Sequence, residues 1–421
     1  MNEAANPKIQ INAQRLLADL HELAEISEPN TPGWTRRFPS EAYQRGRAWV
    51  RARFENEGLL THIDAAGNLF GGRDGREAIA PIASGSHTDT VMAAGRFDGM
   101  LGVLGALEAA RAIREAGIRL RHPLVVADYL SEEATDYAIA CLGSMVLATG
   151  DFKHEWLDRS VNGTTLRQAI SDMGGKPDAL RGPLLMKGAF AASLELHIEQ
   201  GPVMEAAAAR LAAVSGIVGI HRAIFEINGT SNHAGATPMN LRNDAIAALG
   251  QMIVAIEAIA KRHAPNGHGA VGTIGRIEVA PNQANVIANQ VNIHPEMRSL
   301  NMAELDAMWA EFLALARREC VARGVTLELF NQTRLESAVP PDWLHETVWR
   351  VCNNLDSRAI RTPSGAGHDT NHLSIIAPSA MIFVPSVNGR SHAPEEYTAP
   401  ADLALGVQAL AECIVEVDKE I

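Results

Sequence analysis

Four times along this chain a short apolar run gives way to a polar cluster that holds histidine or carboxylate side chains. His87-Thr-Asp-Thr follows Ile79–Ala83, and Ser131-Glu132-Glu133 follows Leu124–Leu130. His197-Ile-Glu-Gln-Gly-Pro202 follows Ala192–Leu196, and Gly389-Arg-Ser-His392-Ala-Pro394 comes shortly after Ala380–Val384. Apolar runs of strand length that alternate with helical stretches predict an α/β domain, with helices covering a mainly parallel, mixed sheet. In open sheets of this kind ligands bind outside the carboxyl ends of the strands. The four clusters are therefore expected to converge in space.

The helical stretches are expected at Ile11–Ile26, at Ser40–Gly58 with Ser40 as N-cap, and at Met100–Ala116, ending at Gly117. Near Ser215 the texture changes. Ala223–Asn228, Val271–Val279 and Gln290–Met297 read as strands, and Asp244–Arg262 and Met302–Arg323 as amphipathic helices. Met252, Ile253 and Ile256 fit a packed face of the first of these. Such a unit is a compact α+β insertion. A chain of 421 residues exceeds one core, and the α/β texture returns after about residue 335. The expected division is a first catalytic part at 1–215, an inserted lid at 216–330 and a second catalytic part at 331–421.

Composition narrows the function. Lysine and arginine total 37 against 49 acids, a formal charge of −12. That balance argues against a nucleic-acid partner or an anionic membrane surface. It leaves open a small anionic substrate in a locally cationic site. Cys141, Cys320, Cys352 and Cys413 stand singly, with no CxxC pair for a zinc knuckle or a redox motif. The segment MNEAANPKIQ shows no secretory leader, and no run reads as a membrane span. A soluble cytoplasmic enzyme is expected. GxxxxGK[ST] and GxSxG are both absent, which removes phosphate-loop and serine-nucleophile chemistry.

The strand-end clusters carry the ligand types for zinc, manganese or cobalt. Asp98, in Gly95-Arg96-Phe97-Asp98-Gly99, adds a carboxylate on a glycine-flanked loop before a helix. Among fifteen histidines any single one is more often a surface or core residue, and Glu132-Glu133 alone would read as a solvated face. Their position decides for a metal site, because a carboxylate capping an apolar strand is costly to desolvate unless it is paired or metal-bound.

Taken together, Gly85-Ser-His-Thr-Asp-Thr90, Gly95-Arg-Phe-Asp-Gly99, Glu132-Glu133, Glu195-Leu-His-Ile-Glu-Gln-Gly-Pro202, Asn232-His-Ala-Gly-Ala-Thr-Pro238, Asn285-Val-Ile, Ser364-Gly-Ala-Gly-His-Asp369 and Ser391-His392 resemble the hydantoinase/carbamoylase amidases. These belong to the co-catalytic metallopeptidase clan, and the motifs occur in the family's order over nearly the whole chain. The resemblance implies two divalent metal ions per subunit, Zn2+ or Mn2+, with Co2+ or Ni2+ as further options. His87 and His197 would hold one ion, Glu133 and His392 the other, and Asp98 would bridge them. Asp89 would orient the His87 ring. Glu132 would act as general base on a metal-bridging water. From the inserted domain His233 would meet the developing oxyanion, reaching the neighbouring subunit's site in a homodimer formed through the lid. Gln200, Asn285 and Arg298 would bind substrate, the last two at its carboxylate.

The implied reaction is hydrolysis of the ureido C–N bond of an N-carbamoyl-L-amino acid or of β-ureidopropionate. Arg96-Phe97 before Asp98 favours these substrates. Allantoate is the alternative within the family, and an N-acyl amino acid or peptide the alternative within the clan. A metal-free dimerising module is the non-catalytic reading, and Glu132 beside a full ligand set argues against it. Two departures bear on the substrate. The family's usual Gly-Ser-Arg-Phe after the glutamate pair is Ala134-Thr-Asp-Tyr137 here, and Glu296 stands where an aspartate is usual before Arg298.

Overall fold

The computed structural model describes residues 8–264 and 269–421. Their contacts divide into two compact units, one taking in the chain up to Gly216 together with Val339–Ile421, the other Ile217–Ala338. No helix among the described residues is long and apolar enough to cross a membrane.

The larger unit is built on an eight-stranded mixed sheet. Its order is Leu60–Ile63, Leu69–Arg73, Leu124–Tyr129, Ile82–His87, Ala192–Ile198, Ser379–Val384, Ala212–Ile217, Ile360–Ser364. The four strands from Leu124–Tyr129 to Ser379–Val384 run parallel, so their carboxyl ends share one edge. Antiparallel neighbours flank them at Leu69–Arg73 and Ala212–Ile217. Three of the parallel strands are buried along their whole length, as expected where helices cover both faces. Helix Met100–Glu115 packs Leu101, Leu104 and Leu107 into this core, and Gly117, at φ 71°, follows it. Helix Glu41–Asn56 starts where Ser40 accepts the Tyr43 amide at 3.1 Å.

Two of the strands differ from their sequence reading in ways that matter to the site. The strand expected at Ile79–Ala83 lies at Ile82–His87. It runs on through Ser84-Gly85-Ser86 because Ser86 finds a buried partner, donating to Glu195 at 2.7 Å. The Ala192 strand likewise continues to Ile198, so His87 is the last residue of its strand and His197 the last but one of its own.

The second unit is a four-stranded antiparallel sheet in the order Ala270–Ala280, Gln290–Ser299, Gly219–Asn228, Thr326–Leu335. Helices Ala245–His263 and Met302–Ala322 cover one face, packing Met252, Ile256, Met308 and Phe312 against Phe225, Ile227 and Ile293. Asp244 and Asn301 cap them, each accepting two first-turn amides. Residue 330, expected as the boundary of the inserted lid, lies inside strand Thr326–Leu335, which is hydrogen-bonded to Gly219–Asn228. Ile253, expected on the packed face, is 41% exposed.

Candidate metal centre

The parallel strands deliver their terminal side chains to one place. His87, Asp98 and His197 offer ligand atoms within 4.8 Å of one another, and so do Asp98, Glu133 and His392. Asp98 belongs to both groups and presents a different oxygen to each. Its Oδ1 lies 3.1 Å from His197 Nε2 and 3.7 Å from His87 Nε2, while its Oδ2 lies 3.2 Å from His392 Nε2. His392 Nε2 is also 3.3 Å from Glu133 Oε1.

The imidazoles are set for metal binding. His87 Nδ1 lies 3.1 Å from the Asp89 carbonyl, and His197 Nδ1 lies 2.9 Å from the Ile198 carbonyl. A proton held on Nδ1 leaves the Nε2 lone pair facing Asp98, the tautomer a ligand needs. Electrostatics point the same way. Hydrogen bonds to Asp98 and Glu133 push His392 up to about 11, against its partial burial. His87 is raised well above the usual range despite complete burial, because Asp89 and Glu132 face it. Burial alone would raise Asp98, but His197, His392 and His87 hold it well below the usual carboxylate range. A pocket of carboxylates that draws protons onto its histidines is short of positive charge, and divalent cations fit that need. A third grouping, Glu195, His197 and His368, is of another kind. There Ser86 and Thr370 donate to Glu195 at 2.7 and 2.6 Å, and His368 Nε2 lies 2.8 Å from Ser364 Oγ.

The loop residues are held tightly. Asp89, expected to orient the His87 ring, faces His87 Nδ1 with its main-chain carbonyl at 3.1 Å and with its carboxylate at 3.5 Å. The same carboxylate accepts the Glu132 and Glu133 amides, both at 3.1 Å. That fixes the glutamate pair after Ser131, which is itself at φ 54°. Gln200 and His392, at φ 60° and 53°, are also left-handed, a conformation that costs a non-glycine residue roughly 1–2 kcal/mol. Gln200 donates to Asp98 Oδ2 at 2.7 Å through its amide nitrogen.

Glu396 and Ser391 are parts of this architecture that sequence reading gave no role. The buried Glu396 carboxylate accepts the Phe97 and Asp98 amides at 2.9 and 3.2 Å, and Ser391 Oγ lies 2.8 Å from Asp98 Oδ2. An acid beside Glu395 looks solvated in sequence. Only Gly95 betrays it, since a Cβ there would lie 2.2 Å from the Glu396 carboxyl.

Gly99 opens the helix at φ 68°, and a Cβ would stand 2.4 Å from the His87 ring. Gly99→Ala should therefore weaken metal binding by about 10–100-fold, the scale seen when ligand-orienting groups are lost. Gly182→Ala, with nothing within 4 Å, is the control. Metal titration of the two purified variants decides it, and equal affinities would refute the steric account.

The remaining predicted site residues lie in the second unit. Asn232 and Ala234 bridge to Ile287 and Asn285 through backbone hydrogen bonds of 2.9 Å, which places His233 beside the Asn285 segment. His233 Nδ1 accepts the Gly235 and Ala236 amides at 3.0 and 3.1 Å, so the neutral ring carries its proton on Nε2 as a donor. Arg298 is ion-paired with Glu296 at 2.6 Å on the same face of its strand.

Imidazoles and carboxylates converging on one aspartate at the strand ends of an α/β sheet define a metal-dependent hydrolase. The chain belongs to peptidase family M20/M25/M40, whose model matches residues 58–416, and within it to the hydantoinase/carbamoylase amidases. It is 35% identical over 402 residues to an N-carbamoyl-L-amino acid amidohydrolase of Geobacillus stearothermophilus, covering 95% of this chain and 97% of the relative. It is 28% identical over 411 residues to an allantoate amidohydrolase of Bacillus subtilis, covering 97% and 98%. The crystal structure of a hydantoinase/carbamoylase family amidase from Burkholderia multivorans superposes with a TM-score of 0.89 at 30% identity, covering 98% of this chain and 99% of that one. This protein is thus a metal-dependent amidohydrolase of that family.

Proposed function

We propose that the chain hydrolyses the ureido C–N bond of N-carbamoyl-L-amino acids, with β-ureidopropionate as the nearest variant. The observation that carries the reading is Asp98, whose two oxygens face two separate ligand sets, His87 with His197 and Glu133 with His392. Two divalent ions held there, zinc or manganese, would supply Lewis acidity and acidify a water for attack at neutral pH.

The chain's own groups do the rest. Glu132, its backbone fixed by Asp89, removes the proton from the attacking water and returns it to the leaving nitrogen. Burial raises its carboxyl well above the ordinary range, only partly opposed by His87, which suits a group that must both take and give a proton. His233, with its Nε2–H available, donates to the oxyanion. Arg298 and Asn285 take the substrate carboxylate, Arg298 by exchanging Glu296 for it. Gln200, which donates to Asp98 through its amide nitrogen, adds a further polar contact to the substrate.

A homodimer through the inserted unit is supported by its surface. Ile246, Ile253 and Val254 are exposed on helix Ala245–His263, and strand Ala270–Ala280 is an edge of its sheet. Four free cysteines accord with a reducing cytoplasm. Allantoate is the second substrate reading, favoured by the Bacillus subtilis relative that the chain matches along its length.

The test is ammonia release, with manganese or zinc supplied, from N-carbamoyl-L-amino acids, β-ureidopropionate and allantoate side by side. Faster release from the N-carbamoyl-L-amino acids is expected. Silence on all three with metal bound would reject the ureido reading.

A further inference from the structure

Beside the metal centre, within the larger unit, lies a cavity of about 440 Å³ that the mechanism above leaves unused. Its size falls in the roughly 300–1,000 Å³ range of small-molecule sites. Asp89 and Glu133 line it, so it opens next to the reacting groups. Phe38, Val91 and Met92 supply hydrocarbon wall, and Ala134 adds only a methyl group.

The charges of the lining can be matched off one by one. Glu133 is turned to His392, and the Asp89 oxygens take the two backbone amides. Arg37, the lone base of the lining, is held by Glu28 through its guanidinium at 2.7 Å and its amide at 2.9 Å. Asp136 acts on Arg37 only after Glu28, and it makes no hydrogen bond or ion pair among the described residues. An exposed carboxylate thus stands unmatched in the lining, with an apolar wall beside it.

We propose that this cavity receives the side chain of the substrate and that Asp136 selects for a cationic tip. The aliphatic stem of a lysine-like or arginine-like side chain would lie along Val91 and Met92, with its ammonium or guanidinium at Asp136. An anionic side chain would meet Asp136 without a counter-charge, since Arg37 is already paired. The inference rests on the proposed hydrolysis for its reacting group, but the selection itself concerns only the side chain.

The test separates the two. L-lysine, L-norleucine and L-glutamate are each offered with an N-carbamoyl and with an N-acetyl head to wild type, Asp136→Asn and Asp136→Arg. In wild type kcat/KM should fall in the order lysine, norleucine, glutamate. Asp136→Asn should lower the lysine-to-norleucine ratio about fivefold, the scale of one partly exposed charge pair, and Asp136→Arg should invert the lysine-to-glutamate order. Ratios that do not move in either variant overturn the proposal. The head group judges the ureido reading by itself, because cleavage confined to N-acetyl compounds would end that reading while the side-chain ratios still decide on Asp136. Binding of the same compounds to metal-loaded Glu132→Gln protein, with and without Asp136→Asn, reads the same ratio should turnover be too slow to measure.

Discussion

Glu132→Gln should lower kcat by about 10²–10⁴-fold, the usual contribution of a positioned general base, while metal content stays at the wild-type level. The reasoning starts from the backbone. Asp89 takes the amides of Glu132 and Glu133 with separate oxygens, so the neighbouring side chains are fixed in different directions. Glu133 turns to His392, and Glu132 lies with Oε2 3.7 Å from His87 Nε2 and Oε1 3.3 Å from Cys141 Sγ. Glutamine keeps the volume and the hydrogen-bonding reach of Glu132 but cannot accept the proton of an attacking water. A substrate bound by other groups should still bind, so KM should change far less than kcat. Metal analysis beside the rate separates the roles. A variant that loses metal in step with activity would make Glu132 a ligand, and one that keeps its kcat would remove it from the mechanism.

The contrast between Glu132 and Glu133 shows what sequence can and cannot carry. The doublet stands out because it follows an apolar strand, the same local pattern marks His87 and His197, and His392 follows its strand at a longer distance. Each is legible since burial of the strand before it is written in neighbouring residues. Short strands such as Leu60–Ile63, exposed on alternate residues, and Leu69–Arg73, which holds Gly71-Gly72, carry no comparable signal. Thr326–Leu335 is a strand because it pairs with Gly219–Asn228, although most of its own side chains are exposed. Glu396 is further from reach. Its partners at Phe97 and Asp98 lie 299 and 298 residues earlier, so nothing local distinguishes it from a solvated acid. Asp89 shows a subtler limit. Its proximity to His87 is legible, but which of its oxygens meets the ring depends on where the Glu132 loop folds.

Asp98→Ala should remove both metal ions, where His392→Ala should remove one. The asymmetry follows from the positions of the two residues. Asp98 is buried and faces both ligand sets, whereas His392 is 47% exposed at its side chain and touches only Asp98 and Glu133 among the candidate ligands. Loss of His392 leaves the His87–Asp98–His197 group whole. Loss of Asp98 takes a carboxylate from each group and leaves two imidazoles on one side, with Glu133 and His392 on the other. It also strips Gln200 and Ser391 of their shared acceptor, so the left-handed Gln200 and His392 loops lose the contact that offsets their strain. Catalysis by either variant should fall at least about 10³-fold if both ions act on one water. The discriminating measurement is therefore stoichiometry, not rate. Emission spectrometry after exhaustive dialysis against metal-free buffer should give near zero for Asp98→Ala and near one for His392→Ala. Two ions retained by Asp98→Ala would show that the shared aspartate is not a bridge, and equal losses in both variants would show that the two sites fill only together.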